Sequence, residues 1–142
     1  NTRHTPNAVV SKKIPQLQKP LFVKDTISIP SAYFETGKAE MKKIFIKQMD
    51  SVCLLLAHKK IAKIDIAGHT DSKGNPERNR LLSINRAHTV KNYLLQKFPH
   101  FAQMIAADGK GSDLPVAGND TETGRAKNRR VEIVLTLSQL QH

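Results

Sequence analysis

The sequence predicts an α+β domain, a two-layer α/β sandwich in which two long helices cover one face of a mixed β-sheet. Three observations carry that expectation. Near the C-terminus Val131, Ile133, Leu135 and Leu137 alternate with Glu132, Val134 and Thr136, the period of two that belongs to a strand. Met41, Phe45, Met49, Val52 and Leu56 recur every three or four residues, as the apolar stripe of an amphipathic helix does. Ala87, Val90 and Leu94 form a second such stripe, flanked by Leu82 and Leu95. The element order is β-α-β-α-β-short α-β, which joins neighbours through short connections and leaves the helices on one side. A chain of 142 residues makes one domain, able to bury roughly two-thirds of its unfolded surface.

Residues 1–24 contain Pro6, Pro15 and Pro20 and no sustained period, so they read as a linker or a draped segment, with the domain proper at 25–142. A short β-rich run over 26–29 stops at Pro30, and Glu35-Thr36-Gly37-Lys38 turns toward a first helix expected over 39–58. Ile64 and Ile66 alternate with Lys63 and Asp65 in a strand over 61–67, ended by Gly68. Pro76 suits the first turn of a helix running to Lys97. A strand is expected over 104–107, a long polar loop over 109–123, a helical turn over 124–128 and the last strand over 131–137.

Hydrophobic residues are 39% and charged residues 25% of the chain, ordinary for a globular domain, and no apolar run approaches the roughly 20 residues of a membrane span. Membrane attachment is therefore expected only through a region outside this sequence. The net charge of +11 raises a polyanion as partner. Five of the cations, Arg3, Lys12, Lys13, Lys19 and Lys24, fall in the first 24 residues, and no basic strand carries the aromatics that stack bases. A solvated basic surface without nucleic acid is the reading that follows. Cys53 is the one cysteine and sits in a helix-core pattern, which excludes an internal disulfide and reads as an inert thiol.

Enzyme signatures fail in detail. The stretch from Gly118 to Gly124 spaces its glycines by five residues and lacks the following Lys-Ser/Thr of a phosphate loop. His69 and Asp71 are two potential metal ligands without a third or fourth, so no metal or cofactor is expected. No enzymatic activity is predicted. The informative pair is Asp71 and Arg86, a carboxylate fifteen residues before a guanidinium, the acid in a turn and the base on a helix. Asn79 lies seven residues before Arg86 and so shares its helical face, with Leu82 and Ser83 between. An arginine fork can grip a carboxylate while an aspartate accepts from an ammonium, with Thr70 and Asn79 adding neutral hydrogen bonds. Spacing alone leaves two alternatives open: a pocket for a zwitterion, or an internal pairing or cap.

Three separated motifs in order add to that reading: residues 64–74 around Gly68-His69-Thr70-Asp71; Asn79, Leu82-Ser83 and Arg86-Ala87; and Asn128-Arg129-Arg130-Val131-Glu132. Together, over about residues 27–137, they resemble the OmpA-like C-terminal domain, whose family includes peptidoglycan-associated lipoproteins and flagellar stator domains. The resemblance implies reversible binding of the meso-diaminopimelate of the peptidoglycan stem peptide, with Asp71 taking the ammonium and Arg86 the carboxylate. It implies that Thr70, Asn79 and Leu82 complete the pocket, with Phe34 and Glu35 on the opposite wall. Arg129 and Arg130 match an Asn-Arg-Arg signature, partly structural, and Arg130 is placed among the ligand contacts. Glu35 stands where relatives often carry Asp, and Ile84-Asn85 replaces a charged pair, so pocket shape differs from the usual pattern.

The function so implied is anchoring of an outer-membrane or envelope-spanning assembly, such as a lipoprotein, motor or secretion-system component, to the cell wall from the periplasm. Peptidoglycan and envelope proteins are the expected partners. The alternative is a basic polyanion-binding or protein-interaction module of an envelope complex, and a wall-cleaving enzyme is the third class, disfavoured by the missing catalytic set.

Overall fold

The computed structural model describes residues 21–139. Its elements are strand β1 (Leu21–Pro30), helix α1 (Ile46–Ala57), strand β2 (Ile61–His69), helix α2 (Pro76–Lys97), strand β3 (Ile105–Gly109), helix α3 (Glu122–Asn128) and strand β4 (Arg130–Gln139), with 3-10 turns at Ser31–Tyr33, Lys43–Phe45 and Pro99–Gln103. The sheet order is β1-β4-β2-β3, with β4 antiparallel to both neighbours and β2 parallel to β3. The mixed sheet and the two helices on one face are as the sequence predicts. Residues 1–20 of the expected linker, and the polar end from residue 140, lie outside the described residues.

One face of the sheet is the core. Ile29, Ile64, Ile66, Val131, Ile133 and Leu135 point into it and meet Met49, Cys53 and Leu56 of α1 and Ala87, Val90 and Leu94 of α2. By the pleat, Ser28, Asp65, Arg130 and Glu132 belong to the other face. Helix α2 lies very close to the sheet because Gly68 of β2 and Gly109 of β3 carry no side chain. A Cβ at Gly68 would overlap the Ser83 carbonyl, and one at Gly109 would overlap Ser83 and Ile84.

Two expectations change. β1 is ten residues long rather than four, because its pairing with β4 continues to Leu21 opposite Gln139. The first helix starts at Ile46 rather than at 39. Residues 33–42 instead double back as a small two-stranded loop: Phe34 bridges Met41, the Glu35 amide donates to the Glu40 carbonyl, and the Lys42 amide donates to Tyr33. Gly37 turns the loop with φ of +67°, a conformation glycine adopts without strain. Met41 and Phe45 keep the spacing of the stripe although neither belongs to α1: Met41 bridges Phe34 in the loop, and Phe45 ends the 3-10 turn that leads into the helix.

Candidate functional site

The site begins at the end of β2. Thr70 and Asp71 are buried as the chain leaves the strand, with the Thr70 amide donating 2.8 Å to the Gly111 carbonyl. Asp71 Oδ1 accepts the Lys73 amide at 2.9 Å, fixing the turn, and the Asn79 Nδ2 donates 2.6 Å to the Lys73 carbonyl from the first turns of α2. Asn75 caps that helix by accepting the Arg78 amide at 2.9 Å. Asn79 therefore clasps the Asp71 turn. The Thr70 hydroxyl donates to the Asp71 carbonyl at 2.8 Å.

Arg86 lies two helical turns further along α2 and is only 8% exposed. Its Nε donates 2.8 Å to the Lys38 carbonyl and its Nη2 donates 3.3 Å to the Glu35 carbonyl, so the small loop holds the guanidinium through backbone. The Phe34 ring, 4.9 Å from the guanidinium carbon, lies against its face. Among the described residues it has no carboxylate partner. Burial, with the nearby Arg129 cation second, pushes its pKa below the ordinary arginine value. A buried guanidinium that keeps its charge beside another cation is stabilised by an anion arriving from outside.

A groove of about 430 Å³ opens beside it, walled by Ser31, Phe34, Lys42, Leu82, Arg86 and Arg129 among others. Among the described residues three cations and no acid line it. Asp71 adjoins the groove through Arg129, whose Nη1 donates 2.7 Å to Asp71 Oδ2 while its Nη2 donates 2.7 Å to Glu122 Oε2. The two carboxylates hold the Arg129 pKa above its ordinary value, Glu122 contributing first. Asp71 thus has an internal partner, Arg129 and not Arg86, so the direct Asp71–Arg86 pairing left open by the spacing does not form.

Phe34, Leu82 and Arg86 line the groove together, whereas Thr70, Asp71 and Asn79 form the neighbouring turn, which reaches the groove through the Asp71–Arg129 pair. Glu35 takes part through its carbonyl, with its side chain exposed. Arg130 is not among the residues that line this groove. It opens β4 one residue before the inward-facing Val131, so the pleat sends it to the opposite face of the sheet. There its Nε donates 2.7 Å to Glu132 Oε2, its Nη1 2.9 Å to the Asn128 carbonyl and its Nη2 3.2 Å to the Leu114 carbonyl. A larger cavity of about 470 Å³ adjoins Arg130 and is lined by Lys127, Arg129 and Arg130 together with Glu132, which pairs with Arg130, so it holds a carboxylate of its own where the smaller groove's lining holds none.

Arg129 is the groove residue the site prediction missed. The signal was present: Glu132, two residues after Arg130, shares its face and offers a carboxylate, leaving Arg129 to find another partner. Fully buried Asn128 holds this corner. Its Oδ1 accepts the Val116 and Ala117 amides at 2.7 and 3.0 Å, and its Nδ2 donates 3.0 Å to Asn119 Oδ1, which accepts the Ser72 amide at 3.3 Å next to Asp71.

Fold and groove define a small α+β domain with a cationic cleft between a loop and a helix. The chain belongs to the OmpA family, whose pattern matches residues 33–129. It is 35% identical over 107 residues to the outer membrane protein Omp38 of Acinetobacter baumannii, covering 75% of this chain and 30% of Omp38. It is also 35% identical over 102 residues to a peptidoglycan-associated lipoprotein of Buchnera aphidicola, covering 72% of this chain and 58% of that protein. The chain thus spans under a third of the length of Omp38. Among solved structures, the cell wall anchor of the type VI secretion system from Pseudomonas aeruginosa superposes with a TM-score of 0.73 at 22% identity, over 92% of this chain and 95% of that one, a likeness of fold.

Proposed function

We propose that this domain binds peptidoglycan without cleaving it, through the meso-diaminopimelate of the stem peptide, and so fastens an outer-membrane or envelope-spanning assembly to the cell wall from the periplasm. The observation that carries the reading is Arg86, a buried guanidinium fixed by two carbonyls and facing an open groove, with no carboxylate partner among the described residues. In this reading Arg86 takes the ligand carboxylate, Asp71 takes the ammonium, and Phe34 and Leu82 line the path of the peptide. Membership of the OmpA family and the similarity to a peptidoglycan-associated lipoprotein support the choice of ligand.

The test is co-sedimentation with purified sacculi. Wild type is expected in the pellet and free meso-diaminopimelate is expected to release it, while Arg86→Ala stays in the supernatant. Lys47→Ala, which removes one positive charge from the exposed surface of α1, is expected to pellet like wild type. Equal losses in the two variants would mean that net charge alone holds the protein on the wall, and the site assignment would fall.

A further inference from the structure

The two ends of the proposed zwitterion site are prepared differently. Arg86 faces the groove with carbonyl partners, whereas Asp71 already accepts the Lys73 amide on one oxygen and Arg129 on the other. Resting on the diaminopimelate reading, we propose that Arg129 is a latch on Asp71 that makes the groove select ligands carrying an ammonium and a carboxylate together. Arg129 spans the relevant groups: it touches Asp71 and Glu122 at 2.7 Å each and also walls the groove beside Arg86.

The selectivity follows from charge pairing. An amine alone must evict a guanidinium from the Asp71 oxygen, and the displaced cation enters a groove that already holds Arg86 and Lys42. A carboxylate alone can use Arg86, but drawing Arg129 to itself strips Asp71 of its cation, and Asp71 is only 8% exposed. A ligand bearing both groups completes both exchanges. Its carboxylate draws Arg129 toward Arg86, and its ammonium takes the oxygen so vacated. No buried charge is left unpaired at the end, so each half of the ligand favours binding of the other. Glu122 is a positioning residue, keeping the second arm of Arg129 near the groove mouth.

Three small molecules separate the effects: meso-diaminopimelate; pimelate, which lacks both amines; and cadaverine, which lacks both carboxylates. Calorimetric titration of wild type is expected to give diaminopimelate an affinity at least about tenfold above either fragment, the gain from one additional charge-assisted contact. Arg129→Gln is expected to bind cadaverine several-fold more tightly than wild type and pimelate more weakly, with selectivity for the zwitterion reduced. Arg129→Lys, which keeps the charge but loses the two-armed fork, is expected to fall between. Unchanged or weaker cadaverine binding in both variants would overturn the latch. If wild type binds diaminopimelate and Arg86→Ala does not, that result leaves the functional reading standing. If cadaverine binding rises in the variants while wild type ignores diaminopimelate, the latch stands and the functional reading falls.

Discussion

Arg86 and Arg130 are both buried arginines, 8% and 6% exposed, yet they sit in opposite chemical situations. Arg130 has Glu132 at 2.7 Å and two backbone carbonyls, so its charge and its donors are accounted for within the fold. Arg86 has two carbonyls and an aromatic face, and among the described residues no carboxylate. The first arrangement closes a corner between β4 and the loop before α3. The second leaves a positive charge facing an open groove. Burial of an arginine therefore does not show what it is for; the missing counter-charge does.

The contrast predicts which arginine the fold needs. Arg130→Ala should be the most damaging single change, costing about 3 kcal/mol, because it leaves Glu132 and two carbonyls without their partner. Thermal unfolding followed by circular dichroism should show a melting temperature lower by roughly 10 °C. A fall of a degree or two would mean that the Arg130 pair is dispensable and the comparison is wrong.

The next effect belongs to the ligand. At a concentration one hundred times its Kd, meso-diaminopimelate should stabilise wild type by about 2.7 kcal/mol. Arg130→Ala should keep that increment at temperatures where it is folded, since its damage lies on the far face of the sheet. Arg86→Ala should show none of it. Protection of Arg86→Ala equal to that of wild type would place the ligand elsewhere.

Without ligand, replacing Arg86 should cost little. Arg86→Met keeps much of the packing against Phe34 while removing a buried cation next to Arg129. Its stability by urea unfolding is expected within about 1 kcal/mol of wild type. A loss comparable to that of Arg130→Ala would make both arginines structural and remove the basis of the groove assignment.

How much of this could be read in the chain depends on whether each contact is local. The alternation from Val131 to Leu137 gave the face of β4, and with it the side on which Arg130 had to lie, had Glu132 been read as its partner. The seven-residue spacing of Asn79 and Arg86 on α2 is likewise a local fact, and the motif resemblance pointed to Asp71, Phe34 and Leu82. The turn at Glu35-Thr36-Gly37-Lys38 was legible, but the return of the chain over residues 39–42 was not. Met41 and Phe45 continue the stripe of α1, so periodicity extends the helix across a segment that Gly37 and the Phe34–Met41 bridge fold back on itself. That segment supplies the Lys38 and Glu35 carbonyls to Arg86, contacts 48 and 51 residues apart in sequence. The Arg129–Asp71 pair, 58 residues apart, was hidden for the same reason.

The smallest effect tests the closed side through its histidine. His69 lies opposite Arg130 across β2 and β4, is 5% exposed, and among the described residues has no hydrogen-bond partner on either ring nitrogen; its Nε2 is 3.9 Å from Glu132 Oε1. Burial, then Arg130, hold its pKa below the ordinary 6.5, with Lys110 acting in the same direction and Glu132 opposing. The unfolded chain therefore binds more protons than the native one between the folded pKa and 6.5. This contribution to stability is fully present above that range and is lost as pH falls through it. Urea unfolding at stepped pH from 7.5 to about 4.5 should show wild type weakening more than His69→Phe, in which the titrating group is gone. Arg130→Ala should narrow the gap, because removing the neighbouring cation makes the imidazolium less costly while Glu132 remains to pair with it. Parallel loss in wild type and His69→Phe would show that the imidazole is not held neutral. Arg130 would then have no electrostatic hold on the residue beside it, and its role on this face would reduce to the Glu132 pair and the two carbonyls.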